Sequence, residues 1–174
     1  PALPEQIIPI AISACLLGEE VRYDGKHKQQ TWIHAMADVR WIPICPEVEA
    51  GMGVPREKIH LELHHQQLKL MSIDTRQDWS AVMDEQASVW IAKLQQQNVS
   101  GYIFKSKSPS CGIKDVPIWQ EGRSEPVAAG RGRFVQRVTH QWPELPLVDE
   151  MALQDETGRQ RFMQQVREYH FGSS

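Results

Sequence analysis

Two kinds of apolar pattern alternate along the chain. Ile7-Ile8-Pro9-Ile10-Ala11-Ile12-Ser13 is an almost continuous apolar run, the pattern of a strand buried on both faces of a parallel sheet. Trp32, Ile33, Met36 and Ala37 then follow helical spacing. Trp41-Ile42-Pro43-Ile44 predicts a second short strand, and Pro43 places it at an edge because proline cannot donate to a ladder. Ile59, Leu61 and Leu63 alternate with His60, Glu62 and His64, and residues 68–73 follow after His65-Gln66. This pair predicts a hairpin, with His60 and His64 on its polar face. Asp78 is placed to cap a long helix whose apolar face is Trp79, Val82, Met83, Ala87, Trp90, Ile91 and Leu94. That helix ends near Asn98. Residues 101–105 predict a third core strand, residues 133–140 a short helix, and residues 145–148 a fourth strand. Phe162, Met163, Val166 and Tyr169 mark a last helix.

Strands that alternate with helices imply right-handed crossovers. The expected fold is α/β: a small doubly wound, mainly parallel sheet with a β-hairpin excursion, as a single domain over residues 1–174. A length of 174 residues and a hydrophobic fraction of 41% suit one sizeable core.

Charge and composition narrow the classes of function. A net charge of −3 argues against coating nucleic acid through charge alone. Residues 1–5 show no basic start leading into an apolar run, and no apolar stretch is long enough to span a bilayer. A cytoplasmic protein is expected. Basic residues gather at Arg22, Lys26 and Lys28, at Lys105 and Lys107, and at Arg131, Arg133 and Arg137. Taken singly, each group reads as a solvated face.

The candidate chemistry lies with three cysteines, Cys15, Cys45 and Cys111. No two form a C-x-x-C pair, and a disulfide framework is not expected in a cytoplasmic chain. Each follows a predicted strand within a few residues. Ligand sites in open parallel sheets form beyond the carboxyl ends of the strands, so three thiols distant in sequence can meet there. Turn residues flank them: Leu16-Leu17-Gly18, Pro46-Glu47, Ser108-Pro109-Ser110 and Gly112. Such turns present backbone N–H groups to a ligand. Three thiolates suit zinc or an iron–sulfur cluster, and spacing leaves both open. It also leaves open a metal-free enzyme with a cysteine nucleophile, and buried thiols that are simply inert. His60, His64 and His65 have no strand-end partner, and a metal site there is not expected.

An ordered series of motifs surrounds the cysteines. It runs Ser13-Ala14-Cys15-Leu16-Leu17-Gly18, Val21-Arg22-Tyr23-Asp24-Gly25, Cys45-Pro46-Glu47-Val48-Glu49-Ala50-Gly51, Pro55-Arg56, and Lys105-Ser106-Lys107-Ser108-Pro109-Ser110-Cys111-Gly112. This series resembles the TudS-like thiouracil desulfidase family, in its short, stand-alone form. The resemblance implies a 4Fe-4S cluster held by Cys15, Cys45 and Cys111, with one iron open. It implies non-redox removal of sulfur from a thiolated uracil, giving uracil and hydrosulfide. Short members are associated with 4-thiouridine, as the 5′-monophosphate or within tRNA. Glu47 matches a catalytic glutamate position and Ser108 a catalytic serine position. Arg22, Tyr23, Lys26, Lys107 and Ser110 are candidate substrate contacts, the cations for a phosphate and Tyr23 for stacking on a base. The expected partner is a thiolated uracil base, nucleoside or nucleotide, or tRNA, met by a monomer or weak dimer. Two other readings compete: a non-catalytic iron–sulfur or zinc module that senses redox state or binds RNA, and the metal-free cysteine enzyme.

Overall fold

The structure, a computed structural model, describes residues 7–172. The opening segment 1–5, where no leader is expected, lies outside them. Strand β1 (Ile8–Ser13) is buried at every position. It sits inside a four-stranded parallel sheet with β2 (Val39–Ile44), β5 (Tyr102–Phe104) and β8 (Leu147–Asp149), in the order β2-β1-β5-β8. Its continuous apolar run follows from that place, because both faces are covered. Ala11 joins one core with Met83, Ala87 and Phe134, while Ile10 and Ile12 join another with Phe162, Met163 and Val166. Helices α2 (Ser80–Gln96) and α3 (Arg133–Gln141) thus cover one face, and α4 (Glu156–Phe171) covers the other. The doubly wound α/β arrangement is the expected one. β2 is an edge strand, and its Pro43 is exposed.

The hairpin is larger than the sequence suggests. β3 (Ile59–His64) and β4 (Gln67–Ser72) pair antiparallel as expected, around a two-residue turn in which His65 and Gln66 both have positive φ, 47° and 70°. β3 also pairs in parallel with β6 (Val116–Trp119), and β6 pairs with β7 (Ala128–Gly130). The excursion is therefore a second, mixed sheet in the order β4-β3-β6-β7. β6 carries Pro117, and β7 is only Ala-Ala-Gly, so neither has the pattern of a strand. Leu61, Leu70 and Val116 seal this sheet against α2 and α3.

The polar face of β3 is not a solvated one. Glu62 has a side chain only 1% exposed, in contact with His60 Nε2 at 2.8 Å and His64 Nε2 at 3.0 Å. Arg76 donates to both of its oxygens, at 2.8 and 2.6 Å. A charge at a polar position in the alternation is here taken inside and paired. Two helical details also differ. Val82 is exposed rather than on the packed face of α2, and the segment around Trp32 is a short 3-10 turn, Thr31–Ala35. Asp78 stands one residue before the N-cap, which is Trp79 and not Asp78; its Oδ1 accepts the N–H of Ser80, the first residue of α2, at 2.9 Å. Among the described residues no helix is long and apolar enough to cross a membrane.

Candidate active site

Each cysteine follows a strand of the parallel sheet, and the three line one cavity of about 410 Å³. Cys15 lies in the 3-10 turn Ala14–Leu17 directly after β1. Cys45 directly follows β2 and precedes the single turn α1 (Pro46–Glu49). Cys111 comes after β5, at the end of the loop that begins with Lys105. All three are free thiols. Burial pushes the Cys15 thiol up to about 11, and neighbouring Cys45 adds to the effect. Burial raises Cys45 as well, and holds Cys111 well above the usual thiol range.

The loop before Cys111 is a built turn. Ser108 Oγ accepts the N–H groups of Ser110 and Cys111, at 3.2 and 3.1 Å. Its carbonyl accepts the Gly112 N–H at 2.8 Å. The first turn of α3 docks on the same loop: the Ser110 carbonyl accepts N–H groups from Phe134 and Val135, at 3.0 and 3.2 Å. Ser13, the last residue of β1, ties two cysteine segments together. Its Oγ accepts the Lys105 N–H at 2.9 Å and its hydroxyl reaches the Cys111 thiol.

Glu47 also lines the cavity, two residues beyond Cys45. Its Oε1 accepts the Nε–H of Arg56 at 2.9 Å, and Nη2 of the same guanidinium lies 2.9 Å away. Its Oε2 accepts the hydroxyl of the fully buried Ser110 at 3.0 Å. Ser108 lines the cavity too. Its oxygen accepts the two turn N–H groups, so its own O–H is left to donate.

The lining also carries cations among apolar residues such as Val21, Ile44 and Ile59: Arg22, Lys28, Lys58, Lys105 and Lys107 stand around it. Tyr23 lies among them, with Lys58 Nζ 5.4 Å and Arg22 Cζ 5.7 Å from its ring centroid. Lys105 is partly neutralised by Glu150 at 3.4 Å, whose buried carboxylate also takes the backbone N–H and hydroxyl of Ser106. Lys26 is exposed and outside the lining. Ser110 meets the site through Glu47. Sequence reasoning missed Arg56, Ser13 and Lys58 as site residues. Arg56 and Ser13 stood inside the quoted motifs, but nothing in the sequence says whom they touch.

Among the described residues no three His, Cys, Asp or Glu side chains are gathered so as to hold a metal ion. The three thiols line a cavity of about 410 Å³ together with Glu47 and the cationic residues. Three sulfur donors suit soft or borderline metals.

The model of the 2-thiouracil desulfurase family matches residues 10–150, a span that holds all three cysteines, Glu47, Arg56 and Ser108. The chain belongs to the 2-thiouracil desulfurase family. It is similar to the solved structure of the 4Fe-4S-dependent thiouracil desulfidase TudS, with 30% identity and a TM-score of 0.65 over 84% of this chain and 93% of that one. It is also 30% identical to the uncharacterized protein YbbK of Bacillus subtilis (strain 168), over 59% of this chain and 72% of that protein. The family match ends before α4, which covers the face of the parallel sheet opposite α2 and α3.

Proposed function

We propose that this member of the desulfurase family is a 4Fe-4S-dependent desulfidase that replaces the thiocarbonyl sulfur of a thiolated uracil with oxygen from water. The observation that carries the reading is the meeting of Cys15, Cys45 and Cys111 with Glu47 around one cavity. Similarity to TudS supports the cluster. A cluster held by three thiolates supplies an open iron, a Lewis acid suited to a soft sulfur atom. The reaction consumes water and returns the uracil carbonyl, hydrosulfide and a proton, with no net electron transfer.

In this reading Glu47 accepts the proton of the attacking water. Ser108 donates its free O–H to the ring or the water. Tyr23 offers a face for stacking on the base. The substrate is a phosphorylated 4-thiouridine, as the monophosphate or within tRNA. The cationic rim of Arg22, Lys28, Lys58 and Lys107 supports a phosphate there. Lys28 and Lys58 line the cavity, whereas Lys26 does not.

The test is anaerobic turnover of 4-thiouracil, 4-thiouridine, its 5′-monophosphate and thiolated tRNA, followed by loss of thiocarbonyl absorbance and release of hydrosulfide. The monophosphate or the tRNA is expected to turn over fastest. Equal turnover of the free base would overturn the phosphate preference. An iron-free protein after anaerobic reconstitution would overturn the desulfidase reading itself. In E47A the cluster absorbance is expected to persist while turnover falls by about 10²–10⁴-fold.

A further inference from the structure

The carboxylate of Glu47 is held differently at its two oxygens. Oε1 faces a full cation: Arg56 Nε donates to it at 2.9 Å and Nη2 stands 2.9 Å away. Oε2 receives only the neutral hydroxyl of Ser110, at 3.0 Å. A carboxylate oxygen has two lone pairs, so Oε2 keeps one free. The oxygen covered by the guanidinium is the poorer proton acceptor.

Both holders are themselves fixed. The Arg56 side chain is 6% exposed. Its Nη1 donates to the Gly53 carbonyl at 2.8 Å, and its backbone N–H donates to Tyr23 O at 2.7 Å. Ser110 is fully buried, and its carbonyl is bound by the first turn of α3. The clamp therefore joins the segment after Cys45 to the loop before Cys111. Arg56 lines the cavity beside the cationic rim, but its three guanidinium nitrogens are engaged by Glu47 and the Gly53 carbonyl.

We propose that Arg56 is the positioning residue of this site: with Ser110 it locks the Glu47 carboxylate so that Oε2, and not Oε1, takes the proton from water. The proposal rests on the desulfidase reading for its reaction and on the Arg56–Glu47–Ser110 geometry for its substance. Arg56 acts through Glu47 and not on substrate, so its loss lowers kcat and spares KM.

The experiment compares R56Q, R56K and S110A with the wild type, all loaded with cluster. In R56Q the cluster absorbance is expected to match the wild type, kcat to fall by about 10²-fold and KM to stay within about twofold. R56K keeps the charge but loses the planar fork, and is expected to recover only part of the rate. Added guanidinium ion is expected to raise the rate of R56A and leave the wild type unchanged. A wild-type kcat in R56Q overturns the proposal, as does a loss confined to KM. Should R56Q not fold, R56K and S110A decide: wild-type kcat in both overturns it. A second arm needs no substrate. Infrared carboxylate bands of Glu47, isolated as the difference between wild type and E47Q, are expected to shift in R56K and in S110A. Unchanged bands overturn the proposal. A wild type inactive on every thiolated uracil would sink the desulfidase reading instead, and the infrared arm would still decide the role of Arg56.

Discussion

Gly132 lies so close to the Ser110 carbonyl that a Cβ on Gly132 would sit 2.5 Å from its oxygen. Hydrogen on that face lets α3 bring its first N–H groups onto the loop that carries Cys111. The neighbouring contact is backbone, so a side chain cannot be relieved by a rotamer change. G132A is expected to cost about 1–3 kcal/mol and to reduce the iron bound per chain, since relief requires Ser110 and Cys111 to move. Urea unfolding and iron analysis check both. Full iron content in a stable G132A would show that the loop tolerates displacement.

Glu62 ties the second sheet together by charge. Hydrogen bonds from Arg76, helped by His60, hold its carboxyl at about 2 against an ordinary 4.5, although burial acts the other way. A carboxyl lowered in this way stabilises the fold above pH 4.5, and the contribution disappears as pH falls from there toward 2. Its size is on the order of 2 kcal/mol, since half-exposed Arg76 is screened by solvent. E62Q is expected to unfold at lower urea concentration at pH 7 and to show a shallower loss of stability below pH 4.5. Parallel pH profiles for wild type and E62Q would refute this account.

The thiols set a pH dependence for loading. Cys15 stands at about 11, and Cys45 and Cys111 are raised with it, chiefly by burial. Each must lose its proton to bind metal. Iron–sulfur affinity of the stripped protein is therefore expected to climb steadily from about pH 6.5 to about pH 8.5. Competition against a chelator across that range measures it. A flat profile would mean that the thiols are already ionised.

Arg133 fastens α3 to its neighbours. It donates to Asp84 on α2 through Nε at 2.8 Å and Nη2 at 2.7 Å, and to the Leu68 carbonyl on β4 at 2.6 Å. A double-mutant cycle of R133Q and D84N is expected to give a coupling of about 1 kcal/mol by urea unfolding. Coupling near zero would leave the pair as a surface contact without effect. This residue lies in a basic group that the sequence alone assigns to a solvated face.

What the sequence determined by itself was local pattern and motif order. The continuous apolar run of β1, the hairpin at His65-Gln66 and the helix after Asp78 are written in periods of two and near four, which short stretches express without help. The motifs around Cys15, Cys45 and Cys111 carried the family for the same reason: they are contiguous strings. Tertiary structure alone decided which distant groups meet. β6 is a strand because β3 offers it an edge, and β7 because β6 does, not because Pro117 or Ala-Ala-Gly favour extension. Glu62 is buried because Arg76 comes back across the turn to pair with it. Arg56 becomes part of the site only where the chain folds its guanidinium onto Glu47. A pairwise contact between residues far apart leaves no period in the chain, and so it could be read only from the fold.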